Sequence, residues 1–105
     1  MTDLRKINTV ITKHIITVRL LKINEHEKEL RLEVYAEIKK EITNHLETKY
    51  YSLSNLLIWL VTYRNLMINN YKQIKDIDYL TKAYMITEAL QEILTLELQY
   101  IKEEV

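Results

Sequence analysis

If this chain performs covalent or metal chemistry, few side chains could carry it, and the best-placed pair is Glu41 and His45. Four residues apart, they stand on adjacent turns of one helical face and could give two ligands to a metal ion. A zinc site needs three or four protein ligands, and a di-iron carboxylate site needs two Glu-x-x-His motifs with two further glutamates. The sequence holds neither set. His45 also borders the apolar series Ile38, Ile42 and Leu46, where an imidazole at the core edge needs only an ordinary hydrogen bond. His14 takes a similar place on the first helix, and His26 lies among glutamates at a helix start. Ser52 and Ser54 fall where a helix needs a cap, and no glycine-bearing elbow surrounds either hydroxyl. Gly, Pro and Cys are all absent, which removes phosphate-cradling loops, thiolate ligands and disulfides. No metal and no cofactor is expected.

Arg19 and His26, with six residues between them, resemble the Arg-x(4–6)-His spacing of the HEPN ribonuclease superfamily, whose members are small helical bundles. The resemblance implies RNA cleavage that depends on His26. It covers two residues of 105, and the pair straddles the first hairpin, whereas in that superfamily it lies near the third and fourth helices. A non-catalytic protein is the expectation.

Phosphate contact is the next chemistry to weigh. Arg5, Lys13 and Arg19, with Thr9 and Thr12, project from the polar side of the first helix, where they could meet a nucleic-acid backbone. The chain nevertheless balances 15 Lys and Arg against 15 Asp and Glu, whereas nucleic-acid modules usually carry a basic excess. A small nucleic-acid-binding regulator is thus the alternative function. The eight tyrosines do not argue for base stacking, because Phe is absent and Tyr supplies the aromatic bulk of the core instead.

The elements that must position these residues follow from apolar spacing at 100° per residue. A first helix over about Asp3–Ile23 aligns Leu4, Ile7, Ile11, Ile15, Val18 and Leu21, with Asp3 or Thr2 as cap. Its β-branched stretch Thr9–Val18 favours strand locally, but the three-and-four spacing outweighs that preference. A second helix over about Glu25–Lys49 aligns Leu30, Val34, Ile38, Ile42 and Leu46 behind an Asn24/Glu27 capping pair. Were the two continuous, their stripes would point in nearly opposite directions. A turn near Lys22–Glu27 brings both onto one core and makes a helical hairpin.

A third helix starts after Ser52 or Ser54, places Trp59 in the core, runs to about Ile68 and ends at Asn69-Asn70. Tyr71–Asp78 reads either as another turn or as a connector. A last helix, capped by Asp76 or Asp78, reaches Glu104. The fold class is therefore all-α: a compact bundle of about four helices in a single domain, residues 1–105, whose length suits one ordinary domain. The longest strongly apolar run, Leu56–Val61, is far short of the roughly 20 residues of a membrane span. The start Met1-Thr2-Asp3-Leu4 has no basic or apolar export region, so a cytoplasmic location is expected. Few Ala, no Gly and abundant Ile, Lys, Asn and Tyr match the translation of an AT-rich genome, as in many viruses and low-GC microbes.

Charge is uneven along the chain. Residues 1–23 carry Arg5, Lys6, Lys13, Arg19 and Lys22 against Asp3, while residues 76–105 carry seven acids against Lys82 and Lys102. A basic first helix beside an acidic last one would favour antiparallel closure. On the last helix, Leu80, Ala83, Leu90, Leu94 and Ile101 read as the core stripe. A second apolar set, Met85, Ala89, Ile93, Leu96 and Tyr100, is displaced by roughly 120°. Large apolar patches rarely remain exposed, so this second set is expected to form an interface. The leading expectation is a self-associating protein–protein interaction module, a homodimer or the partner of another protein.

Overall fold

The computed structural model describes residues 2–104 and consists of α1 (Leu4–Leu20), α2 (Glu25–His45), α3 (Leu53–Ile74) and α4 (Ile77–Glu104), with no strand among the described residues. Each start is set by a short polar side chain that satisfies otherwise free backbone N–H groups. Asp3 accepts from the Arg5 N–H at 2.8 Å, Asn24 accepts from the N–H groups of His26 and Glu27, and Asp76 accepts from the Asp78 N–H at 3.0 Å. At α3, the Asn55 side chain accepts from both the backbone N–H and the hydroxyl of Ser52. The β-branched stretch of α1 is helical, as its spacing requires.

Three boundaries differ from the sequence expectation, the first being the end of α1, which stops at Leu20 because the backbone turns extended at Leu21, short of Ile23. Helix α3 passes through Asn69-Asn70 and ends at Lys75, which adopts the left-handed conformation at φ 64° and ψ 23°. Asparagine costs a helix only about 0.5 kcal/mol, and continuing for one more turn keeps Tyr71 half-buried. Residues 71–78 thus divide between the end of α3, the connection Lys75–Asp76 and the start of α4. Helix α2 stops at His45, before Lys49.

The four helices form a bundle of two hairpins, α1 with α2 and α3 with α4, joined chiefly where α2 packs against α4. This departs from the expected closure of a basic α1 on an acidic α4. Among the described residues no Lys or Arg of α1 pairs with α4, and Arg5 pairs instead with Glu47 at 3.3 Å. The polar ties of α4 run largely to α2: Lys82 to Glu33 at 2.8 Å, Arg31 to Glu88 at 3.8 Å, and His26 to Asp78 at 2.7 Å. Helix α1 reaches α4 through His14 to Glu92 at 2.7 Å and through Thr2 to Glu97. The cause is geometric. The Lys and Arg residues of α1 lie away from its buried Ile7, Ile11 and Val18, so they cannot face another helix across the core.

One cluster holds the bundle together, with Ile7 and Ile11 from α1, Val34, Ile38 and Ile42 from α2, Leu56 and Leu60 from α3, and Ile86, Ala89 and Ile93 from α4. Burial of each large aliphatic side chain here contributes about 1.5–3 kcal/mol. No helix among the described residues is long and apolar enough to cross a membrane.

Burial along α4 cuts across its two expected stripes: Ala83 of the expected core is buried and Leu90 packs against the core, while other positions differ. Met85, Ala89 and Ile93 from the expected interface are 4%, 2% and 2% exposed, and Leu96 and Tyr100 are half-buried. Leu94 and Ile101 from the expected core are both 48% exposed. Two neighbours explain the difference. With α3 on one flank and α2 on the other, the buried side includes Ile86, which lies between the stripes, and takes in Ala83 from one stripe and Met85, Ala89 and Ile93 from the other.

Candidate interaction surface

Most of the side chains that could do chemistry are occupied by structural contacts, while the buried Nδ1 of His45 has no hydrogen-bond partner among the described residues. Glu41 accepts a hydrogen bond from the Tyr51 hydroxyl at 2.7 Å, and the Tyr51 ring meets His45 edge-on with centroids 4.2 Å apart. Burial, reinforced by Glu41, pushes the Tyr51 hydroxyl well above its ordinary range. Glu41 and His45 therefore flank an aromatic ring, and among the described residues no group of three or more His, Cys, Asp or Glu side chains is placed to hold a metal ion. His14 stacks on Tyr35 with centroids 5.5 Å apart while its Nε2 meets Glu92. Ser52 serves the N-terminus of α3.

The Arg19/His26 pair stands at the turn of the first hairpin, with Arg19 in the last turn of α1 and His26 in the first turn of α2. His26 Nε2 is bonded to Asp78 at the start of α4, and that bond, with the carboxylate charge, raises the imidazole pKa above its ordinary value. An imidazole held in this way serves as a clasp between the two hairpins.

The three cations expected to meet phosphates are separated. Arg5 is paired with Glu47, Lys13 is exposed, and Arg19 lines an open groove between α1 and α2 together with Lys39 and Lys40. The two lysines escape a reading by segment because they share α2 with Glu25, Glu27, Glu29, Glu33 and Glu37. Sorting charge by helical face, at 100° per residue, would have found them.

The most distinctive surface is the outer side of the α3–α4 hairpin. The two-residue connection makes these helices antiparallel neighbours. Leu57 therefore lies level with Leu94, and Leu53 with Leu98, each pair equally far along the helices from the connection. Ile58 is 66% exposed and, with Leu57, Val61 and Thr62, forms an almost wholly apolar depression on α3. On α4, Leu94, Leu98 and Ile101 are each about half exposed. The polar residues interspersed among them, Ser54, Asn55 and Thr62 on α3 with Gln91 and Thr95 on α4, are uncharged, and Lys102 stands one turn beyond Leu98 at the edge. The acids Glu88, Glu92 and Glu97 turn inward instead, toward Arg31, His14 and Thr2. Sequence reasoning missed Leu57, Ile58, Val61 and Leu98 as surface residues. The available signal was charge depletion, since Arg64 is the single charged residue between Leu53 and Tyr71.

Comparison with protein-family models, curated proteins and solved structures gives no significant match.

Proposed function

We propose that this chain is a non-catalytic helical interaction protein that associates with a second copy of itself through the outer face of the α3–α4 hairpin. The observation that carries this reading is the combination of exposed Ile58, Leu94 and Leu98 with a surround poor in charge, where Arg64 near Val61 and Lys102 one turn beyond Leu98 are the cations at its edge. Depletion of charge around an apolar centre characterises interface cores. A two-fold dimer brings the same patch against itself, and a patch poor in charge does so with few like charges in contact.

The chemistry-bearing pairs, Glu41 with Tyr51 and His26 with Asp78, support a non-catalytic role because each is already engaged within the fold.

Sedimentation velocity over a range of concentrations tests the proposal. The parent protein is expected to sediment as a dimer, and the doubly substituted Ile58→Glu, Leu94→Glu protein as a monomer with unchanged helical circular dichroism. A parent that remains monomeric at its highest soluble concentration would falsify the proposal, as would a dimer untouched by the two substitutions.

A further inference from the structure

The groove between α1 and α2 lies apart from the α3–α4 face and has a different chemistry. Its volume is about 580 Å³, and its walls bring together Arg19, Lys39 and Lys40 over a floor of Ile15, Ile16 and Ala36, with no acid among the lining residues. None of the three cations forms an ion pair among the described residues. The Lys39 ammonium donates one hydrogen bond, to the Thr12 hydroxyl at 3.0 Å, which steers it over the groove and leaves its other two protons free. Ile16 is 53% exposed although it sits between charged walls.

We infer that this groove docks an acidic amphipathic helix of a partner protein. Such a helix lays apolar side chains on Ile15, Ile16 and Ala36 and sets its flanking carboxylates against Arg19, Lys39 and Lys40. Both halves of the groove, cationic walls and apolar floor, are then matched by one ligand. A nucleic-acid backbone matches only the walls, because phosphate and sugar leave the exposed Ile16 without an apolar partner. Backbone phosphates continuing along the hairpin would also meet Glu25 and Glu29 toward one end and Glu47 toward the other, all exposed. Helix α4 of a second copy is a poor source of the acidic helix, since Glu92 and Glu97 are engaged by His14 and Thr2 of their own chain.

The test uses the full chain and fluorescence anisotropy with three labelled probes. One is an amphipathic peptide with Leu on one face and Glu on its flanks, the second is the same peptide with Lys in place of Glu, and the third is a random-sequence DNA duplex. The Glu peptide is expected to bind, and the Lys peptide is not. Binding should weaken by about tenfold or more in Lys39→Glu and in Lys40→Glu, because each reverses a charge at the wall. Ile16→Ser should weaken it as well, by removing part of the floor. Lys13→Glu makes the same change in net charge away from the groove and should leave binding unchanged. All four sites are at the surface or half-exposed, and helical circular dichroism checks that each variant is folded. The inference is overturned if the Glu peptide does not bind, or if Lys13→Glu weakens it as much as Lys39→Glu. It is equally overturned if the duplex binds with the Lys39 and Lys40 dependence while the Glu peptide does not, which would make the groove a nucleic-acid site.

Discussion

A single carboxylate oxygen of Glu97 accepts two hydrogen bonds from Thr2, from its backbone N–H at 2.6 Å and from its hydroxyl at 2.7 Å. The residue just before the cap of α1 is thereby fastened to the C-terminal half of α4, 95 positions away. Thr2 is 3% exposed, so its polar atoms would be left poorly satisfied without that carboxylate.

This fastening should depend on pH in a defined direction. The hydroxyl and backbone donors of Thr2 hold Glu97 below the usual carboxylate pKa. A group depressed on folding contributes stability that is present above its unfolded pKa and is lost as pH falls through the folded value. The Glu97→Gln protein should therefore melt below the parent at pH 7, and the difference should close as pH approaches 3. Thermal melts of both proteins across that range make the measurement. A gap that stays constant with pH would remove the ionised carboxylate from the explanation.

The clasp between His26 and Asp78 should behave in the opposite sense. Bonding to Asp78 raises the imidazole pKa, so its contribution is complete below the unfolded value near 6.5 and disappears as pH rises through the folded value. Urea unfolding of His26→Gln should show a deficit relative to the parent at pH 5.5 that is absent by pH 9. Titration of the His26 ring by nuclear magnetic resonance should give a midpoint above 6.5, and a midpoint below it would contradict the assigned bond.

The buried side of α4 and the exposure of α3 can be read from two truncations. Ile86 is 0% exposed and Ile58 is 66% exposed. Ile86→Ala should cost about 2–5 kcal/mol through lost burial and the cavity left behind. Ile58→Ala should change stability by no more than about 0.5 kcal/mol, provided the protein is dilute enough that association does not contribute. Equal losses in the two variants would show that Ile58 is covered within the monomer.

At the end of α3, Lys75 holds a left-handed conformation that costs a residue bearing a Cβ roughly 1 kcal/mol. Glycine relieves that cost but loses more chain entropy on folding. Lys75→Gly should therefore stabilise by a net few tenths of a kcal/mol up to about 1 kcal/mol, whereas Lys75→Val should destabilise, because a β-branched residue fits this region worst. Urea midpoints for both variants test the ordering, and a reversed order would place the helix end elsewhere.

What this sequence determined by itself is local. The four-residue spacing of Leu30, Val34, Ile38 and Ile42 marks α2 and its buried face, and those four side chains are the buried ones of the helix. Asp3, Asn24 and Ser52 mark helix starts because a cap acts on N–H groups only two or three residues away. The first hairpin also follows from the sequence, because only a turn brings the stripes of α1 and α2 onto one core. The tertiary structure decided which helices would touch. For α4, the periodicity of Met85, Ala89 and Ile93 and that of Leu90, Leu94 and Ile101 are equally good, and neither states how many neighbours the helix has. Packing between α2 and α3 selected the direction through Ile86 and Ile93 and turned Leu94 and Ile101 outward. The same limit hid the grouping of Arg19 with Lys39 and Lys40, because the positions of cations along a chain do not reveal which helical faces will meet across a groove.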